Sequence, residues 1–287
     1  MTSRTIIGYG NRCDEATLAG GSWMTTLPLA NLQNRLIAKV ARSNGTTKAA
    51  TQFDIDLGRA RKIGVLALVG HNLTDQAKVR IRGDDAADFA TPLYDSGWVE
   101  VWPNGMIPQE LLEWEDDNFW LGTLSPEARA GYNSPFIYRV DGNLSLRYWR
   151  VEIDDTSNSD GYVHIGRLFL SDVWKPTYGP RVGAALGMDD TSVIESSLGG
   201  SEYFDTRHRA RVYRCDLQAM SSTEAYSRVL DLQNLLGIQG EILIDPDTAD
   251  TANKPRRAFV GRMRSLSPVV ESSPGLFDTS FEIRELI

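Results

Sequence analysis

FDIDLGRARKIGVLALVG, residues 53–70, carries two hydrophobic patterns in one short stretch. Phe53, Ile55 and Leu57 alternate with Asp54 and Asp56, the period of a strand with one face in a core and the other in water. Gly58 then marks a turn, at which Arg59, Arg61 and Lys62 are expected to stay solvated. From position 63 to 69 nearly every residue is apolar, which suits a strand buried on both faces inside a two-layer β structure.

The alternation returns on either side of later turns. KVRIRGDD sets Val79 and Ile81 against Arg80 and Arg82, and YWRVEIDD sets Trp149, Val151 and Ile153 against Arg150, Glu152 and Asp154. In YVHIGRLFLSDVW, Val163 and Ile165 share one phase while Leu168 and Leu170 share the other, so a β-bulge near Gly166 is predicted. Half a dozen strands without a long amphipathic helix predict a β-sandwich or jelly roll over residues 51–176. Residues 1–50, rich in Gly, Thr, Asn and Ala, read as an extended N-terminal arm.

A Pro- and Gly-bearing stretch over 177–200 reads as a linker to a second β-rich domain at 201–287. There Tyr213, Cys215 and Leu217 alternate with Arg214 and Asp216, and Phe277, Thr279, Phe281 and Ile283 mark the buried face of a last strand. One helix is predicted at about 221–236, opened by a capping box of Ser221 and Glu224 and stopped by Gly237. The expected fold class is therefore mainly β, a sandwich followed by a β-rich assembly domain with one α-helix.

Composition narrows the function. With 41% hydrophobic and 24% charged residues the chain is an ordinary globular one, and its apolar runs fall far short of the ~20 residues of a membrane helix. A net charge of −8 disfavours nucleic acid, whose phosphates are bound by Lys and Arg. Cys13 and Cys215 make neither a disulfide framework nor a metal cluster. The first residues lack the apolar core of a secretory signal, so synthesis in the cytoplasm is expected.

No catalytic constellation emerges. His71, His164 and His208 are scattered, no nucleophile-elbow, phosphate-loop or zinc motif occurs, and an enzyme is not expected. No catalytic, metal or cofactor-binding residue is assigned, and no cofactor is expected. The Asp-rich stretches at 154–161 and 245–250 offer oxygen ligands but miss the EF-hand register, and the same residues favour turns for backbone reasons. Arg82-Gly83-Asp84 falls where a strand must turn and is read as that turn.

Residues 100–142 stand apart. Eight acidic residues against two arginines share this insertion with a concentration of aromatics. Trp102, Trp114, Phe119, Trp120 and Tyr132 are the candidate partner or glycan contacts, because aromatics concentrate at contact cores and long loops within a domain are usually functional. The alternative is a subdomain packed on its own sandwich.

Taken together, TQFDIDLGRARKIGVLALVGHN, KVRIRGDD, RYWRVEIDD and GYVHIGRLFLSD resemble the discoidin-like, or coagulation factor type C, domain over roughly residues 50–175. Asp56-Leu57-Gly58 and Tyr148-Trp149-Arg150 are the most diagnostic pieces. The resemblance implies a jelly roll whose end loops bind sugars or lipids in some members. The disulfide common in secreted members is missing here, and the insertion is longer than the family's usual connection. The arrangement of arm, sandwich and capped-helix unit also resembles minor tail or baseplate proteins of tailed bacteriophages. That resemblance implies a structural component of the virion tail tip, assembled with neighbouring tail proteins and with copies of itself into a ring or cone. The alternative is a carbohydrate-binding module acting in adsorption to a host cell-surface glycan.

Overall fold

The computed structural model describes residues 3–116, 118–120, 122–125, 135–142 and 144–287. They form two compact units, one made of Gly8–Val173 with Asp245–Phe259, the other of the chain up to Ile7, Trp174–Ile244 and Val260–Ile287. Strands β1 (Ile6–Tyr9), β2 (Thr17–Ala19), β3 (Ala41–Arg42), β4 (Phe53–Lys62), β5 (Val65–His71), β6 (Lys78–Asp84), β7 (Tyr94–Glu100), β8 (Phe136–Arg139), β9 (Ser145–Asp154) and β10 (His164–Ser171) run along the first part of the chain.

The first unit is the expected β-sandwich. One antiparallel sheet has the order β2-β4-β9-β6-β7 and the other β3-β10-β5-β8. Phe53, Ile55, Val79, Ile81, Trp149, Val151 and Ile153 of one sheet share a core with Leu66, Leu68, Phe136, Leu168 and Leu170 of the other. Each of those residues belongs to the apolar phase of its strand, and the arrangement is the jelly roll that the discoidin-like resemblance implies.

Three local expectations are corrected. Gly58 does not turn the chain: β4 continues to Lys62 through a register shift between Asp56 and Arg61. Gly58 supplies a φ of +72° there, and its N–H donates to Asp56 Oδ1 at 2.8 Å. Arg59 and Lys62 are exposed as expected, with the Lys62 ammonium 3.4 Å from Asp172, whereas Arg61 is largely covered and pairs with Glu15 at 2.8 Å.

The second correction concerns Gly166, where β10 gains no extra residue. Its register with β5 is continuous from Ile165 opposite His71 to Ser171 opposite Val65. The phase changes in both strands together, because Gly70 adopts φ +65° beside Gly166 and lets the pair rotate. A Cβ on Gly166 would lie 2.3 Å from the Ile37 carbonyl oxygen, so only glycine admits the crossing segment.

Thirdly, residues 8–50 belong to the sandwich unit and do not form an extended arm. Asn11 bonds along β10 like a short extra strand, its Nδ2 donating to the Leu168 carbonyl and its Oδ1 accepting from Leu170 N, both at 3.0 Å. Cys13, Leu29, Leu32 and Ala41 are buried in the sandwich core. Arg167, fully buried, reaches from β10 to Asp14 at 2.6 Å and donates to the Leu32 carbonyl at 3.2 Å.

The second unit is built on strands β11 (Val173–Trp174), β12 (Ala185–Asp189), β13 (Val193–Ser196), β14 (Glu202–Asp205), β15 (Ala210–Ser221), β16 (Glu241–Asp245), β17 (Phe259–Met263), β18 (Val270–Ser273) and β19 (Leu276–Glu285). Its sheet has the order β11-β1-β16-β17-β19-β15-β12, with β18 also on β19. Tyr213, Cys215 and Leu217 stand opposite Ile283, Phe281 and Thr279, so the two predicted alternations share one buried face. The stretch 177–200 is not a bare linker, since it contains β12, paired along β15, and β13 of a separate hairpin with β14.

The predicted helix spans 222–236, with a π-helical middle over Ala225–Leu230. Ser221 Oγ accepts from Glu224 N at 3.2 Å, and Gly237 closes the helix at φ +54°. The Glu224 carboxylate serves other donors: Oε1 accepts from Trp174 Nε1 at 3.2 Å and Thr177 N at 2.9 Å. Only half of the capping box is thus a cap.

Removing the carboxylate beside a buried guanidinium leaves its charge uncompensated, which costs ~3–5 kcal/mol when both groups are enclosed. Asp14 keeps 37% of its side chain exposed, and solvent screening lowers the effect. Asp14→Ala is expected to destabilise the protein by about 2 kcal/mol, read as a lower urea midpoint without a change in slope.

Candidate functional site

The insertion leaves β7 and re-enters the sandwich at β8. Its root is core: Val101, Trp102, Met106 and Leu124 are buried with the sandwich residues. Trp102 is only 6% exposed, lies edge-on to His71, and donates Nε1–H to the Leu73 carbonyl at 3.0 Å. This corrects its reading as a contact residue, because an indole with its donor satisfied inside is a packing element.

Beyond the root the loop folds on itself. Glu113 N donates to Asp116 Oδ2 at 2.9 Å and Asp116 N returns to the Glu113 carbonyl at 3.0 Å, a tight turn that places Trp114 at its crest. Ile107 N donates to the Gly122 carbonyl at 2.9 Å, and a Cβ on Gly122 would come within 2.6 Å of the Ile107 oxygen.

This frame gathers three aromatic rings. Trp114 lies 5.3 Å from both Phe119 and Trp120, and Phe119 lies 5.5 Å from Trp120, at inclined or edge-to-face angles. Phe119 is partly covered, whereas Trp114 and Trp120 are 71% and 70% exposed. Glu110, Glu113, Glu115 and Asp116, all exposed, belong to the same loop. Three of the five candidates therefore come together, Trp102 does not, and Tyr132 lies outside the described residues.

A cleft of about 630 Å³ opens between the outer strands β7 and β8, lined by Trp98, Glu100, Asn104, Tyr138 and Lys254 among others. Lys254 Nζ donates to the Ile137 carbonyl at 2.7 Å, and burial lowers its pKa from the ordinary ammonium value. Burial likewise raises the Asp245 carboxyl. Trp98 and Lys254 were not legible as neighbours: the alternation of β7 could have flagged Trp98, but no sequence signal assigns residues 245–259 to the sandwich.

The Asp-rich loop after β9 is a structural staple. Asp155, buried, accepts from Thr74 N at 3.1 Å, from the Thr74 hydroxyl and from Asn158 Nδ2 at 2.8 Å, while Asn72 Nδ2 donates to Asp160 at 2.8 Å. Among the described residues no group of three or more His, Cys, Asp or Glu is placed to hold a metal ion. His164 stacks on Tyr162 and is held below the usual imidazole pKa, chiefly by burial.

The outer face of the five-stranded sheet carries a ladder of ion pairs. Arg80 meets Asp95, Arg82 meets Glu152, Arg150 meets Asp54, and Arg147 grips Asp56 through two 2.8 Å bonds. Each of these arginines is engaged by a carboxylate of the same sheet.

No protein-family model matches the chain, and no curated protein sequence does. Among solved structures it is similar to the lectin domain of lectinolysin complexed with Lewis B antigen, at 10% identity over 56% of this chain and 95% of that one, TM-score 0.37. It is also similar to the family 32 CBM from C. perfringens NanJ in complex with galactose, at 14% identity over 58% and 99%, TM-score 0.37. A Streptococcus pneumoniae fucose binding module aligns at 12% identity over 57% and 95%, TM-score 0.36.

The Arg80 hydrogen bond is the main cause holding Asp95 down at about 2, against an opposing contribution from burial. A carboxyl depressed on folding stabilises fully above its unfolded value of about 4, and that stabilisation is lost as pH falls toward 2. Asp95→Asn is therefore expected to lose less stability than the wild type between about pH 5 and about pH 2.5, compared by urea midpoints at the two values.

Proposed function

We propose that the chain is a non-catalytic recognition protein whose sandwich holds a saccharide on the Trp114, Phe119 and Trp120 rings. The observation that carries this reading is the three-ring cluster itself, with two indoles exposed on a folded loop. Ligand sites combine aromatic walls with a few polar groups that fix orientation. The apolar C–H faces of a sugar ring suit exposed indoles, and its hydroxyls suit the loop's carboxylates as hydrogen-bond acceptors. The local negative charge disfavours phosphate or carboxylate ligands. No cofactor enters this reading.

A second reading, a structural component of a phage tail tip or baseplate located in the virion, is favoured by a different observation: a β-hairpin of the second unit with both faces in solvent. Mass spectrometry of purified particles tests it, and absence of the chain from them counts against it.

The saccharide reading is tested by screening the full chain on a glycan array and titrating the best ligand by calorimetry. Trp114→Ala and Trp120→Ala are each expected to weaken binding by about tenfold, the scale of one lost aromatic contact of ~1.5 kcal/mol. Trp98→Ala serves as a comparison at a separate site. Unchanged affinity in both indole variants, or no ligand across the array, would overturn the reading.

A further inference from the structure

The cleft beside Trp98 lies wholly within the sandwich unit and shares no residue with the Trp114, Phe119 and Trp120 cluster. Its volume of about 630 Å³ falls within the ~300–1,000 Å³ usual for small-molecule sites. Val101, Phe136 and Ile137, all buried, give it an apolar lining, to which Pro103, Pro135 and Pro255 add stiff backbone. Two aromatic rings are held along it. The Tyr138 hydroxyl is bonded to the Tyr94 hydroxyl at 2.8 Å, so the ring is fixed and its polar atom is already engaged. Trp98 is 39% exposed, and the Lys48 ammonium lies 4.7 Å from its ring centroid while pairing with Asp154 at 2.8 Å. Lys48 does not line the cleft, so the cation steadies the indole from elsewhere and leaves another part of it to the cleft.

Lys254 supplies the charge. An ammonium carries three N–H donors, and one of them goes to the Ile137 carbonyl at 2.7 Å. Among the described residues Lys254 makes no ion pair, so its other two donors are left for an occupant of the cleft it lines. Burial is the first cause of its lowered pKa, ahead of the opposing pull of Asp245, as befits a cation short of counter-charge. Lys78 and Glu100 also line the cleft, but they are exposed and stand opposite each other across β6 and β7, so their charges offset one another. A cationic ligand would face Lys254 without compensation, and a second negative charge on an anion would meet Glu100. The balance favours a single negative charge.

We propose that this cleft binds an aromatic monocarboxylate, its ring beside Trp98 and Tyr138 and its carboxylate on Lys254 Nζ. The two carboxylate oxygens accept the two remaining donors in charge-assisted bonds, which are strongest where water is excluded. The ring meets indole and phenol side chains at the inclined or offset angles that aromatic pairs prefer. Such a ligand is of the class that the carboxylate-rich loop around Trp114 disfavours, so the site is independent of the saccharide reading.

Calorimetry and tryptophan fluorescence of the full chain test it with benzoate, 3-phenylpropanoate and indole-3-acetate, each beside its primary amide, and with acetate as an acid that lacks a ring. At least one aromatic acid is expected to bind with a Kd of about 1 mM or tighter. Its amide and acetate are each expected to bind at least about tenfold more weakly, the scale of one lost charge-assisted bond or aromatic contact. Lys254→Met keeps the apolar stem and removes the donors, and Trp98→Ala removes the ring; each is expected to weaken binding by about tenfold or more. Should Lys254→Met misfold, Thr251→Trp fills the cleft from an exposed position of its lining and is expected to abolish binding. No binding of any aromatic acid up to about 10 mM, equal binding of acid and amide, or unchanged affinity in any of these variants overturns the proposal. Saccharide titrations of the same variants report separately on the Trp114 site.

Discussion

The two-sided burial of the β5–β10 pair is the constraint from which much of the sandwich follows. Residues 65–69 are all buried, as are 165–171. A strand in a sheet has two faces, and the opposing sheet covers one. The other demands a cover of its own, and residues from Asn11 to Leu32 provide hydrogen bonds and an ion pair along β10. The buried Arg167 is held by this cover, so the N-terminal segment is part of the sandwich fold.

That constraint also explains how far the sequence could be read. The doubly apolar run at 63–69 announced a strand with two buried faces, and the alternations around Trp149 and Phe281 named their buried residues correctly. Residues 8–50 read as an arm because their packing is made by loops, short 3-10 turns and strands of two to four residues, all too short to show a period. The bulge expected at Gly166 failed for a related reason: a phase change in one strand looks like an inserted residue until its partner is seen to rotate with it at Gly70.

The candidate site was legible in composition but not in orientation. An excess of carboxylates and aromatic rings located the insertion, yet nothing in the spacing separates Trp102, whose indole N–H is satisfied by Leu73, from Trp114 and Trp120, whose faces meet solvent. That difference depends on backbone closure by Glu113, Asp116 and Gly122. The cleft beside Trp98 was hidden more deeply, since one of its walls comes from residues about 150 positions further along the chain.

The same distant wall has a consequence for how the protein is made. The sandwich takes in Asp245–Phe259, and the second unit takes in the residues up to Ile7 as well as the C-terminal strand. Each unit is thus discontinuous along the chain, and neither is complete when the ribosome has finished residues 1–176. Long sequence separation between contacting segments slows folding and exposes unfinished edges. The sandwich is expected to acquire its final stability only late in synthesis, when Lys254 and Arg256 reach the carbonyls of Ile137 and Met106.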